Sequence, residues 1–329
     1  MPLPSKVPEA NEYFHRAMLF LNEQQDVPRA REMLEKALAR DPVFAHARAY
    51  YALTHILLID AGISNDTSWL YKAEAELQRV LHDEPDLAMA HATLAVVYLY
   101  LGRKDLVLRE AGRAIELKPD DRDAINSLVI CHALSGEHEK SQALLARALK
   151  IHPLFLPFQL NFGENLREMG DPAAAVREFE MVLEQDTKLV QALVFMTQAR
   201  LNQGDPAKAR EALAHAEALE PQNYQVRLVS ALTLAVEGRR EDALREMDAE
   251  VLRDGETVFF ALYVAEFYSV LGDRAKAVEW LDRAVRLGDE RADWFERDPL
   301  LVNIRQEPRF REIVNGVRYR REQRKKSAR

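Results

Sequence analysis

Glycine returns every 34 residues through the middle of this chain, at Gly102, Gly136, Gly170, Gly204, Gly238 and Gly272. A fixed period of about 20–50 residues marks a stack of like units in which each buries its apolar face only against its neighbours. Six of the 12 glycines share this phase, so one structural requirement explains half of the glycine usage. Proline keeps a second phase at Pro85, Pro119, Pro153 and Pro221, with Thr187 at the missing step and Gly255 and Asp289 extending it. Pro42 lies 43 residues before Pro85, so that repeat carries 9 extra residues.

A third phase is small: Ala30, Ala73, Ser141, Ala175, Ala209, Ala243 and Ala277, with Val107 the larger exception. A fourth is also mostly small, at Ala37, Val80, Ala114, Ala148, Val182, Ala216 and Ala284, broken by Glu250. Between them stands a large residue, Leu34, Leu77, Leu145, Phe179, Leu213, Met247 or Leu281, with Ala111 the small exception. One unit then reads as two helices. The glycine ends a first helix, A, in a left-handed conformation that a Cβ disfavours. Asp171-Pro172 and Asp205-Pro206 supply an N-cap and a first-turn proline for a second helix, B. Small residues allow A and B to approach closely, and the large one fills the gap between layers. Proline at the end of B forbids continuation.

This pattern resembles the tetratricopeptide repeat family, whose 34-residue helix–turn–helix has small residues in helix B and a closing proline. The resemblance runs from about Asn11 to Asp289. It implies an all-α fold, a right-handed α-solenoid of about eight helix–turn–helix repeats with C-terminal capping helices. The departures are local: the early Trp of the family pattern is missing, Gln25 replaces the first turn glycine, and Glu250 breaks the small-residue phase. The expected organisation is an N-terminal tail at 1–10, an array at 11–290 with the insertion near 60–69, a cap at 291–316 and a basic tail at 317–329. In the insertion Gly62 reads as a helix stop and Ser64, Asn65 or Asp66 as a cap, with Trp69 stapling the loop to the array. The segment Ala292–Val314 carries Trp294, Phe295, Leu300, Leu301, Ile304, Phe310 and Ile313, broken by Pro299 and Pro308. It suits a cap over the open end of a solenoid. It is also similar to the ending of tetratricopeptide arrays in certain bacterial signalling and regulatory proteins, where a kinase, cyclase or DNA-binding domain precedes the array.

Composition narrows the function. Lys+Arg 45 against Asp+Glu 53 gives a net charge of −8, which offers no general nucleic-acid footprint. The last twelve residues run the other way, with Arg318, Arg320, Arg321, Arg324, Lys325, Lys326 and Arg329 against Glu322. They read first as a solvated, unstructured end. Contact with a nucleic acid or an anionic membrane is the lesser reading, because short basic runs are weakly specific. The single cysteine, Cys131, excludes an intrachain disulfide and fits a reducing compartment, and the first residues lack an apolar run. A cytoplasmic location is the expectation.

Catalytic motifs are missing: the sequence contains no G-x-S-x-G, P-loop, G-x-G-x-x-G or H-E-x-x-H. The nine histidines are scattered, so neither a metal nor another cofactor is expected. The acidic pairs Glu178/Glu180 and Asp289/Glu290 read as solvated charges. The expectation is therefore a non-enzymatic scaffold that binds a peptide or helix of a partner protein. The alternative is a regulatory or sensor module separated from a kinase, cyclase or DNA-binding effector domain.

The resemblance also places the binding surface. In the family, positions 2, 5, 6, 9 and 12 of helix A face a concave groove. Position 5 here reads His15, Ala49, Ala92, Asn126, Leu160, Val194, Leu228 and Leu262. It lacks the Lys by which some members clamp the carboxylate of heat-shock chaperones, which rejects that function. The candidate groove residues are instead Asn126, Asn161, Gln191, Phe195, Gln198, Gln225, Phe259 and Tyr263. Amides can bond both N–H and C=O of an extended peptide, and rings offer pockets for side chains. Glu164, Arg167, Glu266 and Ser269 occupy further lining positions.

Overall fold

The computed structural model describes residues 5–21, 26–60, 66–248, 252 and 257–327. Among the described residues, sixteen helices alternate A and B in eight pairs. They are α1 (Pro8–Leu19), α2 (Val27–Arg40), α3 (Ala45–Asp60), α4 (Ser68–Asp83), α5 (Ala88–Tyr100), α6 (Lys104–Leu117), α7 (Arg122–Leu134) and α8 (His138–Ile151). Then come α9 (Leu156–Glu168), α10 (Pro172–Gln185), α11 (Val190–Asn202), α12 (Pro206–Leu219), α13 (Tyr224–Val236), α14 (Arg240–Glu246), α15 (Val258–Val270) and α16 (Arg274–Arg286). Past the repeats lie α17 (Ala292–Arg297), a 3-10 helix (Pro299–Ile304) and α18 (Pro308–Ser327). The fold is all-α, a helix–turn–helix solenoid. The chain forms two compact units, residues 1–100 with 105–127, and residues 101–104 with 128–329.

The phases map onto this architecture directly. The six periodic glycines close helix A at φ between 65° and 97°, the left-handed region. At Gly170 the turn is closed by Gly170 N–H to the Arg167 carbonyl and Asp171 N–H to the Leu166 carbonyl. Asp171 then caps α10 by accepting from Ala174 N–H at 2.9 Å, and Asp205 caps α12 by accepting from Lys208 N–H at 3.1 Å. Each such cap contributes ~1 kcal/mol. Ala30, Ala73, Ser141, Ala175, Ala209, Ala243 and Ala277 are all fully buried, as are the large residues Leu34, Leu77, Leu145, Phe179, Leu213 and Leu281. The same close approach dictates Gly163 in α9, where a Cβ would stand 2.4 Å from the Phe179 ring of α10.

Gln25, Gly62, Ser64, Asn65, Glu250 and Gly255 lie outside the described residues. Next to the insertion, Asp66 Oδ1 accepts from Ser68 N–H at 2.8 Å, and Trp69 lies in the first turn of α4. There the Arg31 guanidinium lies 5.1 Å from the Trp69 ring and the His55 ring lies 5.7 Å away. At the start of the chain, Ser5 is held by the Asn11 side chain and bonds Asp41, and α1 begins on Pro8. At the other end, α18 runs through Ser327, where the sequence suggested an unstructured tail. Phe310, Ile313, Val314 and Val317 on α18 join the core of the eighth repeat.

Candidate functional site

Helices α9, α11, α13 and α15 carry seven of the eight candidate groove residues, all within the second unit. Asn126, on α7, belongs to the first unit and is half-buried there. The seven fall into two groups along the helices. Asn161, Gln191, Phe195, Gln225 and Phe259 lie in the N-terminal halves of their helices and are half-buried. Phe195 packs its ring against Phe179 at 5.9 Å, so it also serves the contact between repeats. Tyr263 is half-buried at the same register on α15, whereas Gln198, about one turn further along its helix, is fully buried near the helix ends that the chain's own C-terminal segment crosses.

That segment begins with a close backbone approach. Gly288, at φ 106°, lies so near Gly102 that a Cβ would stand 3.0 Å from the Gly102 carbonyl oxygen. Glu290 N–H donates to the Leu134 carbonyl at 2.7 Å. Arg291 forks onto Asp289 at 2.6 and 2.9 Å and pairs with Glu168. Arg297 donates to the Glu168 carbonyl at 3.0 Å, satisfying a carbonyl at the end of α9. Further along, Asn202 of α11 donates to Asp298 at 3.3 Å, and Asn303 donates to the Ser269 carbonyl of α15 at 2.9 Å. Residues 289–305 therefore run across the C-terminal ends of α9, α11 and α15.

The seam beneath them is polar and buried. Arg167 is fully buried, grips Glu164 with two bonds of 2.9 and 3.0 Å, donates to Asn202 at 2.9 Å and lies 4.9 Å from the Trp294 ring. Burial works against its charge, but Glu164 first, then Glu168, hold it protonated. Such a pair persists only because its hydrogen bonds are met. Other buried groups lack that satisfaction: both amide atoms of Gln198, both oxygens of Glu266, the Ser269 hydroxyl, the Trp294 N–H, Asp298 Oδ2 and Arg305 Nε meet no partner. Burial, with Glu164 next, pushes the Tyr263 phenol up.

Two sequence expectations change here. Asp289 and Glu290, read as solvated charges, are buried, because they anchor Arg291 and receive Arg324. Gln198, read as a groove amide, is fully buried. Of the residues that organise the seam, Arg167 was placed on the helix A lining, whereas Glu168, Arg291 and Asp298 escaped the sequence reading. The available signal was Glu266, the one charge in the apolar helix VFFALYVAEFYSV.

Much of the basic run is spent internally. Arg318 pairs with Asp293 at 2.9 Å and Glu296 at 2.6 Å, Arg321 donates to the Gly136 carbonyl at 3.1 Å, and Arg324 pairs with Glu290. Arg320 and Lys326 are exposed, while Ala328 and Arg329 and the side chain of Lys325 lie outside the described residues. Among the described residues, no cluster of three His, Cys, Asp or Glu is arranged to hold a metal ion. None of their helices is long and apolar enough to cross a membrane.

The tetratricopeptide repeat family matches residues 196–258. Among solved structures, the chain is similar to the Cut9–Hcn1 hetero-tetramer of the APC/C, at 14% identity and a TM-score of 0.57, over 97% of this chain and 68% of that one. It is also similar to Pseudomonas aeruginosa PilF, at 21% identity, TM-score 0.44, over 64% of this chain and 93% of that one. A third likeness is to PilW, a type IV pilus biogenesis factor, at 17% identity, TM-score 0.42, over 74% and 91%. These likenesses are of fold. No curated protein matches the chain.

Proposed function

We propose that this chain, built of tetratricopeptide repeats, is a non-enzymatic scaffold that binds a peptide or helix of a protein partner on the inner face of its A helices. The observation that carries the reading is the division of that face. Residues 289–305 bond the C-terminal ends of α9, α11 and α15, whereas Asn161, Gln191, Phe195, Gln225, Phe259 and Tyr263 lie half-buried in the N-terminal halves. Amides there would hold a partner's backbone and the rings its side chains. The periodic glycines and the small residues of helix B are consumed by turns and packing. Internal pairing of Arg318, Arg321 and Arg324 favours a protein partner over nucleic acid or membrane. A cytoplasmic setting suits the single buried cysteine, Cys131.

The test is capture of a partner by the purified chain, followed by affinity measurements on Asn161→Ala and on a helix B control, Glu178→Ala. Asn161→Ala should shift stability by under about 1 kcal/mol. It should weaken binding by about 1–3 kcal/mol, because a partner group loses its hydrogen bond. Parent-like binding by both variants would place the partner elsewhere.

A further inference from the structure

Glu266 of α15 and Asp298, which links α17 to the 3-10 helix, meet across the seam between the repeats and the returning segment. Both side chains are fully buried. Asp298 Oδ1 is occupied by Leu300 N–H at 3.0 Å and Asn202 at 3.3 Å, whereas Oδ2 has no donor. Neither oxygen of Glu266 has a donor either. Two carboxylates are acceptors only, so side by side they cannot satisfy each other. One proton converts one of them into a donor and removes one buried negative charge.

We propose that Glu266 and Asp298 share a single proton, and that its loss to solvent frees residues 289–305 from the inner face of α9, α11 and α15. The fields of Arg167, Arg291 and Arg305 favour the ionised pair and oppose the cost of burial, but their guanidinium groups donate to other acceptors than the unpartnered oxygens. From α9, Arg167 faces it, but its guanidinium is committed to Glu164 and Asn202. From the segment, Arg291 is committed to Asp289 and Glu168, and Arg305 donates to the Asp298 backbone. Tyr263 lies one turn earlier on α15 and is neutral. The other neighbours of α15 spend their ionic groups elsewhere: on α13, Arg227 bonds Glu246 and Asp248, and on α16, Asp282 bonds Arg286 and Arg309. Burial is the main cause that raises the Glu266 carboxyl, and Asp298 adds to it.

The sign follows. The closed seam holds a proton that the open segment, with an ordinary glutamate near 4.5, does not. Closure is therefore strongest at acid pH. Each pH unit above that value favours opening by about tenfold, until the closed pair itself ionises. Opening would uncover Glu266 and the turn-side ends of the A helices, so that the seam regulates how much of them is available.

Hydrogen exchange of the full chain between about pH 5 and pH 9, corrected for intrinsic rates, tests this. Opening of residues 289–305 should rise about tenfold per pH unit before reaching a plateau, while α12 stays constant. In Glu266→Gln the amide donates to Asp298 at every pH, so the slope should vanish; Asp298→Asn should flatten it as well. A flat profile in the parent, or an unchanged slope in both variants, overturns the proposal. Should the variants fail to fold, the 13C carboxyl resonances of Glu266 and Asp298 in the parent at about pH 6 decide: one proton's worth of protonated shift between them supports the shared proton, and two ionised shifts overturn it.

Discussion

At the residue scale, Ala209 shows why the sequence was legible. It is fully buried between helices of the sixth repeat, where even a methylene more has nowhere to go. Ala209→Leu should cost about 1–3 kcal/mol by overpacking, read as a lower thermal midpoint; unchanged melting would contradict the packing described for that phase. A requirement of this kind recurs in every unit, so 34-residue spacing reveals it. Gln198 and Glu266 behave differently. Their positions on helix A were countable, but the segment that repeats nothing was not, and its Asp298 meets Glu266 and accepts from Asn202, one turn beyond Gln198. Periodicity reports what a residue does for its own repeat and is silent about what a distant segment lays over it. Asp289 and Glu290 were misread for the same reason, since their charge was visible and Arg291, Arg324 and the closed seam were not.

At the element scale, the helix that follows the repeats is amphipathic in a way composition hides. In α18, Phe310, Ile313, Val314 and Val317 are buried, while Arg320 is exposed and Arg318 forms surface pairs. Surface pairs contribute ~0–1 kcal/mol each, so the apolar face holds the helix in place. Phe310→Ala should therefore destabilise the second unit by about 3–5 kcal/mol, whereas Arg320→Ala should stay within about 0.5 kcal/mol. Denaturant melts of the two variants distinguish a helix docked by its core face from one held by charge, since comparable losses would point to charge. The basic run was legible as charge and illegible as helix, because its apolar anchors sit upstream of the residues that drew attention.

At the scale of the whole molecule, the two units differ in how far apart their contacts lie along the chain. A solenoid repeat ordinarily touches only its neighbours, so it can open from an end without cost to distant repeats. The second unit departs from this. Arg291 pairs with Glu168 across 123 residues, and Arg321 bonds the Gly136 carbonyl across 185 residues. Glu290 N–H holds the Leu134 carbonyl at the end of α7. The C-terminal segment thus ties the fourth and fifth repeats to the eighth. Removing residues 288–329 should raise exchange not only in α15 and α16, which lose the residues packed on them, but also at the ends of α7 and α9, which lose Glu290, Arg291 and Arg297 as partners. Helices α2 to α4 of the first unit, whose contacts are with sequence neighbours, should keep their protection. Exchange confined to α15 and α16 would show that the segment merely covers the last repeat. Loss of protection at the ends of α7 and α9 would show that the second unit folds as one cooperative body, closed by a segment that the 34-residue pattern does not include.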